Sequence, residues 1–369
     1  MIPKSFSWTL LILTITALLV TGCTWTEPVD KTGSAAPAGT TIKDSSGREV
    51  KIPAPIKRVV VLNSSTFNMI TVIGAADTII GVNDSTAQSE AAAANKAVFG
   101  TFMQPNVEKI IEAKPDAVIG NRMMNPIQVR QLEDAGIPVL FFEFYLPSIF
   151  HNEILTLGKL FQKEAQAQKY SDFIMKYQRL IENRLKDITP EERVTVYFEG
   201  YSAYGTVARG TGGDELVTRA GGINIAGGET VSYPRVSAEW VLQNNPQVIV
   251  KTVSTSVKAM GEGHTDNAAV KAIYDNVISR PGWSRLTAVK NNKVVLLASA
   301  IGTTPEGSII GMLYMVKAMY PDKFTDINPY EIYKQMKKEF YHVESNGIIA
   351  YPDLSKAFPP DLSGEESFV

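Results

Sequence analysis

The chain has 369 residues, with 36 Lys or Arg against 38 Asp or Glu and a net charge of −2. That balance gives no global field for nucleic acid or for a membrane surface, so neither is expected as a charge-driven partner. One Cys and three His leave no intrachain disulfide and no cysteine-based metal or cluster site.

Met1–Gly22 carries one positive charge, Lys4, then an apolar run from Trp8 to Val20 and the ending Val-Thr-Gly-Cys at Val20–Cys23. An apolar stretch of this length before small residues is a secretory signal rather than a core helix. The ending resembles the lipobox of bacterial and archaeal lipoproteins, in which the cysteine is acylated and becomes the mature N-terminus. That resemblance makes residues 1–23 a lipoprotein signal peptide and Cys23 the lipidated residue. An uncleaved N-terminal anchor is the alternative; either reading puts the rest of the chain outside the cytoplasmic membrane. Residues 24–41 are small, polar and Pro/Gly-containing, the composition of a flexible tether.

From residue 42 to 163 the pattern predicts an α/β lobe. TIKDSSGREVKIP reads as a hairpin turning at Asp44-Ser45-Ser46-Gly47. Short β-branched runs follow at intervals of a helix, at Arg58–Leu62, Thr78–Val82, Ala117–Ile119 and Val139–Phe142. Buried-looking strands alternating with amphipathic segments predict a parallel sheet covered by helices. Residues 164–188 then hold no Gly or Pro, and Tyr170, Phe173, Ile174, Tyr177, Leu180, Ile181, Leu185 and Ile188 fall on one helical face. Twenty-five residues would make a rod of about 37 Å, a strut between two lobes or a long surface helix within one domain. Strand patterns resume at Val194–Phe198, Val248–Val250 and Val294–Leu297 in a second α/β lobe over 189–345, closed by a helix at Asn328–Phe340. Residues 346–369 read as a tail.

An internal duplication decides between the two readings of the rod. Asn106–Ile119 (NVEKIIEAKPDAVI) and Ser237–Val250 (SAEWVLQNNPQVIV) share a capping residue, a Glu two positions on, an apolar pair, a Pro seven residues after the Glu, and a strand. The copies sit on opposite sides of residues 164–188, so the fold class is α/β: two Rossmann-like lobes with mainly parallel sheets, joined by one long rigid helix.

Ligands in open α/β sheets gather beyond the carboxyl ends of strands. Residues there are rich in hydroxyls, amides, Tyr and Arg, suited to gripping a polar or anionic molecule between two faces. The candidate contacts are Asn63, Ser64, Ser65, Thr66, Asn83, Arg122, Tyr145, Tyr201 and Arg209, with Arg122, Tyr201 and Arg209 foremost. No catalytic residue is expected: there is no G-x-S-x-G, H-E-x-x-H or G-x-x-x-x-G-K-[ST] motif. R-G-T-G-G at Arg209–Gly213 reads as a turn opening a helix. His151, His264 and His342 lie apart and are read as packed or solvated rather than as metal ligands. Glu108 and Glu239 would each favour a helix dipole. Their matched placement, one per lobe, further suggests two-point recognition of a partner bearing Arg or Lys.

Taken in order, D-S-S-G-R-E-V-K-I-P, R-V-V-V-L, the two duplicated segments, G-I-P-V, A-G-G-I-N-I-A and W-S-R-L-T-A-V-K-N-N-K-V resemble the substrate-binding proteins of ABC importers for iron complexes, haem and vitamin B12. The resemblance covers about Ile42 to Phe340. It implies an extracytoplasmic, lipid-anchored binding protein, monomeric and without a cofactor, that carries a small metal complex in the interlobe cleft to a permease and its ATPase. It also implies that Glu108 and Glu239 form salt bridges to permease arginines. Arg122 and Arg209 favour an anionic ferric siderophore-like chelate over cobalamin or haem. An enzyme on this scaffold would hold its cluster with several cysteines, and the mature chain has only Cys23.

Overall fold

A computed structural model describes residues 39–302, 304 and 307–354, all within one packed unit that starts at Pro37. Cys23, residues 24–38 of the expected tether and residues 355–369 of the expected tail lie outside the described residues. The described residues form twelve strands: β1 (Gly39–Lys43), β2 (Glu49–Pro53), β3 (Val59–Val61), β4 (Ile79–Val82), β5 (Ala97–Val98), β6 (Ala117–Gly120), β7 (Val139–Phe141), β8 (Thr195–Glu199), β9 (Ile223–Asn224), β10 (Val248–Val253), β11 (Val294–Ala298) and β12 (Ala350–Tyr351). Strands β1 and β2 pair antiparallel as the predicted hairpin, so residues 39–41 belong to a strand rather than to the tether. Two five-stranded sheets follow, in the orders β5-β4-β3-β6-β7 and β12-β11-β10-β8-β9. The first is parallel throughout; the second is parallel except at its edge, where β12 runs antiparallel to β11 and draws part of the expected tail into the sheet.

The duplication extends to the backbone. Helices Val107–Ala113 and Ala238–Asn244 start at Asn106 and Ser237, whose side chains accept from Lys109 N at 3.0 Å and Trp240 N at 3.1 Å. Each helix stops at a left-handed residue, Lys114 (φ 49°) or Asn245 (φ 37°), and a Pro then bars its continuation.

The segment predicted as a rod is one unbroken helix, Glu164–Leu185, ending three residues short of the sequence reading. Twenty-two residues span about 33 Å. It buries Ala167, Tyr170, Phe173, Ile174, Tyr177, Ile181 and Leu185, the apolar stripe. Helix Phe150–Phe161 packs against its first half, closely enough that a Cβ on Gly158 would stand 2.6 Å from that of Ala167. On another side lies helix Pro329–Tyr341, the closing helix. Phe340 sits edge-on to Tyr170 at 4.8 Å and to Phe173 at 5.3 Å between ring centroids, and Lys169 pairs with Glu339 at 2.9 Å. One continuous apolar core therefore runs from one face of the first sheet through the long helix into the second lobe. A smaller core covers the other face of the first sheet: Val60 points into it while Val59 and Val61 point into the large one.

Burying an aromatic ring of this size is worth about 1.5–3 kcal/mol, and deleting one leaves a cavity as well. Phe340→Ala is expected to cost about 3–5 kcal/mol in urea unfolding; a loss below about 1 kcal/mol would show that the helix contact is not part of the core.

Candidate functional site

Between the two sheets lies a cavity of about 560 Å³. Its first wall is Asn121 and Met123, just past β6, with Glu143 and Tyr145, just past β7. The facing wall comes from Gly200–Ser202 past β8, Gly205–Val207, the opening turn of helix Gly212–Arg219, and Tyr233-Pro234-Arg235; Thr304 and Ser308 also line it.

Each wall stands on buried charge. In the second lobe, Glu199 is fully buried at the end of β8 and takes both guanidinium nitrogens of Arg280 at 2.7 and 2.9 Å. Lys251 reaches Glu199 at 3.2 Å and donates to the carbonyls of Gly200 and Tyr201, the latter at 2.9 Å. Tyr204 N closes the loop onto Glu199 at 2.9 Å. Burial would push the Glu199 carboxyl up, but the bonds and charge of Arg280, with Lys251, outweigh it and hold the group below its ordinary value. Loop 200–205 is thus pinned from beneath by groups that do not face the cavity.

In the first lobe Glu143 is 3% exposed, and one of its oxygens accepts from Arg122 N at 2.8 Å and Arg122 Nε at 3.3 Å. Behind it Glu153 accepts from Glu143 N at 2.6 Å and from the Ser45 hydroxyl, while its second oxygen is buried without a partner among the described residues. Desolvation by burial pushes the Glu153 carboxyl up to about 7. The Tyr145 phenol and the Glu143 carboxylate raise the Arg122 guanidinium above its ordinary value, while half of its side chain stays exposed.

The lobes touch beside the cavity. Ser148 donates from N and Oγ to the two Glu215 oxygens at 2.9 and 2.8 Å. A Cβ on Gly212 would lie 2.8 Å from Tyr145 O, so a side chain there would force the walls apart.

Of the residues singled out from sequence, Tyr145 and Tyr201 line the cavity, and Arg122 sits between two lining residues with its guanidinium turned to Glu143. Asn63, Ser64, Ser65, Thr66 and Asn83 are not lining residues. Asn63 caps helix Ser64–Val72 by accepting from Thr66 N at 2.7 Å and ties β3 to β6 through Gly120 O at 3.1 Å. Ser64 bonds Thr86 at 2.8 Å, Asn83 bonds Ser85 at 2.8 Å, and Thr66 is buried. Arg209 is exposed outside the lining, and the turn it begins opens a helix, capped by Thr211. Glu108 and Glu239 are exposed in the first turns of the matched helices, and Glu239 is held below its ordinary value by its own backbone N–H and by Ser237. Tyr233 and Arg235 were missed because no strand precedes them. They reach the site through a short ladder in which Thr206 N bonds Pro234 O at 2.9 Å and Val236 N bonds Tyr204 O at 3.0 Å. Among the described residues no three His, Cys, Asp or Glu side chains are placed to hold a metal ion, and no helix is long and apolar enough to cross a membrane.

Residues 59–300 match the model of the family described as periplasmic binding protein, which is well over half of the chain. The chain belongs to the periplasmic binding protein family. It is an ABC-transporter substrate-binding protein of an extracytoplasmic family. Molybdate-binding protein MolA of Haemophilus influenzae is 25% identical over 332 residues, covering 81% of this chain and 90% of MolA. An ABC transporter substrate-binding lipoprotein of Bacillus subtilis is 26% identical, covering 86% and 98%. Among solved structures, molybdate-bound MolA superposes with a TM-score of 0.69 at 23% identity over 84% of this chain and 99% of that one. The TroA-like periplasmic binding protein FepB of Veillonella parvula gives 0.71 at 22% identity over 84% and 98%. The two-lobed architecture of this periplasmic binding protein is thus shared with its structural neighbours.

The raised Glu153 group has a testable consequence for stability. Between about pH 4.5 and 7 the unfolded chain gives up this proton while the folded protein keeps it, so stability falls as pH rises through that window. Relative to Glu153→Gln, the parent protein is expected to lose about 3 kcal/mol between pH 4.5 and 7.5 in urea titrations; parallel pH profiles for the two would contradict the assignment.

Proposed function

We propose that this protein is the lipid-anchored capture component of an importer and that it takes a compact anionic metal chelate, of the ferric siderophore type, into the interlobe cavity. The observation that carries this reading is the combination of a 560 Å³ cavity with Tyr145, Tyr201, Tyr233 and one cationic side chain, Arg235, whose guanidinium has no carboxylate partner among the described residues. The volume lies in the range of sites for drug-sized ligands. The rings and Met123 would meet the organic shell of a chelate, and Arg235 its negative charge. A bare oxyanion such as molybdate would leave most of this space to water. Arg235 replaces Arg122 and Arg209 as the source of charge selectivity. Asn63, Ser64, Ser65, Thr66 and Asn83 then hold the strand ends in place rather than touching cargo. Cys23 carries the lipid, residues 24–38 the tether, and the chain works as a monomer without catalysis. The two lobes expected at residues 42–163 and 189–345 extend to take in β1 and β12, with the helix between them as the spacer. Glu108 and Glu239, on short rigid helices of the two lobes, dock to cationic side chains of the permease.

Quenching of intrinsic fluorescence by ferric siderophores, haemin, cobalamin and molybdate tests the cargo. A ferric siderophore is expected to quench saturably and to bind about 10-fold or more weakly to Arg235→Ala, the loss of a charge-assisted hydrogen bond; preferential binding of molybdate or cobalamin would overturn the chelate reading. Glu108→Ala combined with Glu239→Ala is expected to leave that affinity unchanged and to abolish uptake in cells, whereas undiminished uptake would remove the docking role.

A further inference from the structure

The first-lobe wall of the interlobe cavity is backed by two buried carboxylates that face one cation. Glu143 is 3% and Glu153 6% exposed, and the backbone N–H of Glu143 donates to Glu153 Oε1 at 2.6 Å. The guanidinium between them, that of Arg122, pairs with Glu143. Glu153 is left with the Ser45 hydroxyl and the Glu143 N–H on one oxygen, and its Oε2 is buried without a partner among the described residues. The other groups around it bring no further countercharge. In the hairpin turn, Asp44 is paired with Arg48 at 3.0 Å. Past β7, Tyr145 is bonded to Glu143 and Arg122. On the same helix as Glu153, His151 turns to Ser171 of the long helix, whose Lys163 and Glu164 pass Gly158, more than a turn beyond Glu153.

Two buried carboxylates facing one guanidinium leave a negative charge uncompensated, and a buried carboxylate in that position takes up a proton instead. Glu153, the member with the bare oxygen, is the one that holds it. Burial, with a smaller push from the Glu143 carboxylate, raises this group to about 7 against the pull of the Glu143 N–H, Ser45 and Arg122. Glu143 itself lines the cavity, as do Asn121 and Met123 on either side of Arg122. With Glu153 neutral, one carboxylate faces one guanidinium in this wall; with Glu153 ionised, the wall is left net negative. We propose that Glu153 sets the charge selectivity of the interlobe cavity from behind its wall, so that an anionic cargo is admitted while the proton is in place and repelled once it is lost. This rests on the anionic-cargo reading above and adds the residue that makes it depend on pH. By linkage, an anion that binds while Glu153 is ionised draws a proton onto it. Affinity is therefore highest below the pH at which the group titrates and falls as pH rises through about 7.

Fluorescence quenching of the full mature chain by a ferric tris-catecholate and, separately, by molybdate tests this at about pH 6 and about pH 8.5, beside Glu153→Gln, which keeps the shape and stays neutral. Titration of the ligand is common to both proteins and cancels in the comparison. The parent is expected to lose about 3- to 10-fold more affinity than Glu153→Gln across that interval, the effect of one added charge behind the wall, and the two to agree at the acid end. Calorimetry at about pH 7.5 in buffers of different ionisation enthalpy is expected to show proton uptake on binding by the parent and none by Glu153→Gln. Binding of molybdate alone would overturn the chelate reading, and the same comparison is then read on molybdate. Parallel pH profiles, equal proton uptake in the two proteins, or no binding of either anion would overturn the role of Glu153. Uptake by the parent needs no variant to fold, so its absence alone also overturns the proposal.

Discussion

The structure turns on the aromatic seam around the long helix. Phe142, Phe144, Phe150, Tyr170, Phe340, Phe173 and Tyr177 follow one another ring to ring, with centroids 4.8 to 6.0 Å apart, linking the end of β7 to the long helix and to helix Pro329–Tyr341. Close-packed interiors deform in discrete rearrangements rather than continuously, so a seam of interlocked rings resists small changes in the angle between the sheets. Only one helix joins the two sheets covalently, but two helices hold them. The closing helix folds back onto both the spacer and the first lobe, and Lys169–Glu339 fixes its end. A clamp of this kind explains why the cavity can have a definite shape without cargo.

A cleft held at fixed width must draw its selectivity from the groups already placed there. Those groups divide into foundations and faces. Glu199 with Arg280 and Lys251 are charges satisfied inside the wall, where they anchor a loop, while Glu143 pairs with the half-exposed Arg122 at the cavity's edge. The buried pairs of Glu199 add little net stability over apolar residues, but breaking one leaves an uncompensated charge, which makes them strict about geometry. The faces they support are rings, hydroxyls, the Glu143 carboxylate and Arg235. The clasp of Ser148 on Glu215 and the close approach at Gly212 set how near the faces come.

Much of the scaffold was legible in the sequence, because burial on both faces writes parallel strands as β-branched runs and a helix stripe repeats every 3.6 residues. β3, β4, β6, β7, β8, β10 and β11 all fall at the predicted runs, and the duplicated cap, Glu and Pro mark the two matched helices. β5 and β9, two residues each, were invisible: Ala97–Val98 and Ile223–Asn224 are too short to show a period and exist only because a neighbouring strand offers its edge. The lining of the interlobe cavity was less legible than the fold. Inspecting the residues after each strand found Tyr145 and Tyr201 but also gathered Asn63 and Asn83, whose amides serve turns and caps. Arg122 looked available for a ligand, yet its partner Glu143 lies 21 positions on, beyond any local pattern. Arg235 escaped because a loop-to-loop ladder, not a strand, delivers it.

The most direct test of the central claim measures the distance between the lobes. Spin labels placed at the exposed positions Glu112 and Gln243, one beyond each sheet in the matched helices, in the chain lacking Cys23, would report it by pulsed electron resonance. A clamped pair of lobes predicts one narrow distance distribution whose mean is the same with and without the cargo. A broad or two-peaked distribution in the free protein, or a shift of several ångströms on binding, is the signature of a closing hinge and would contradict it.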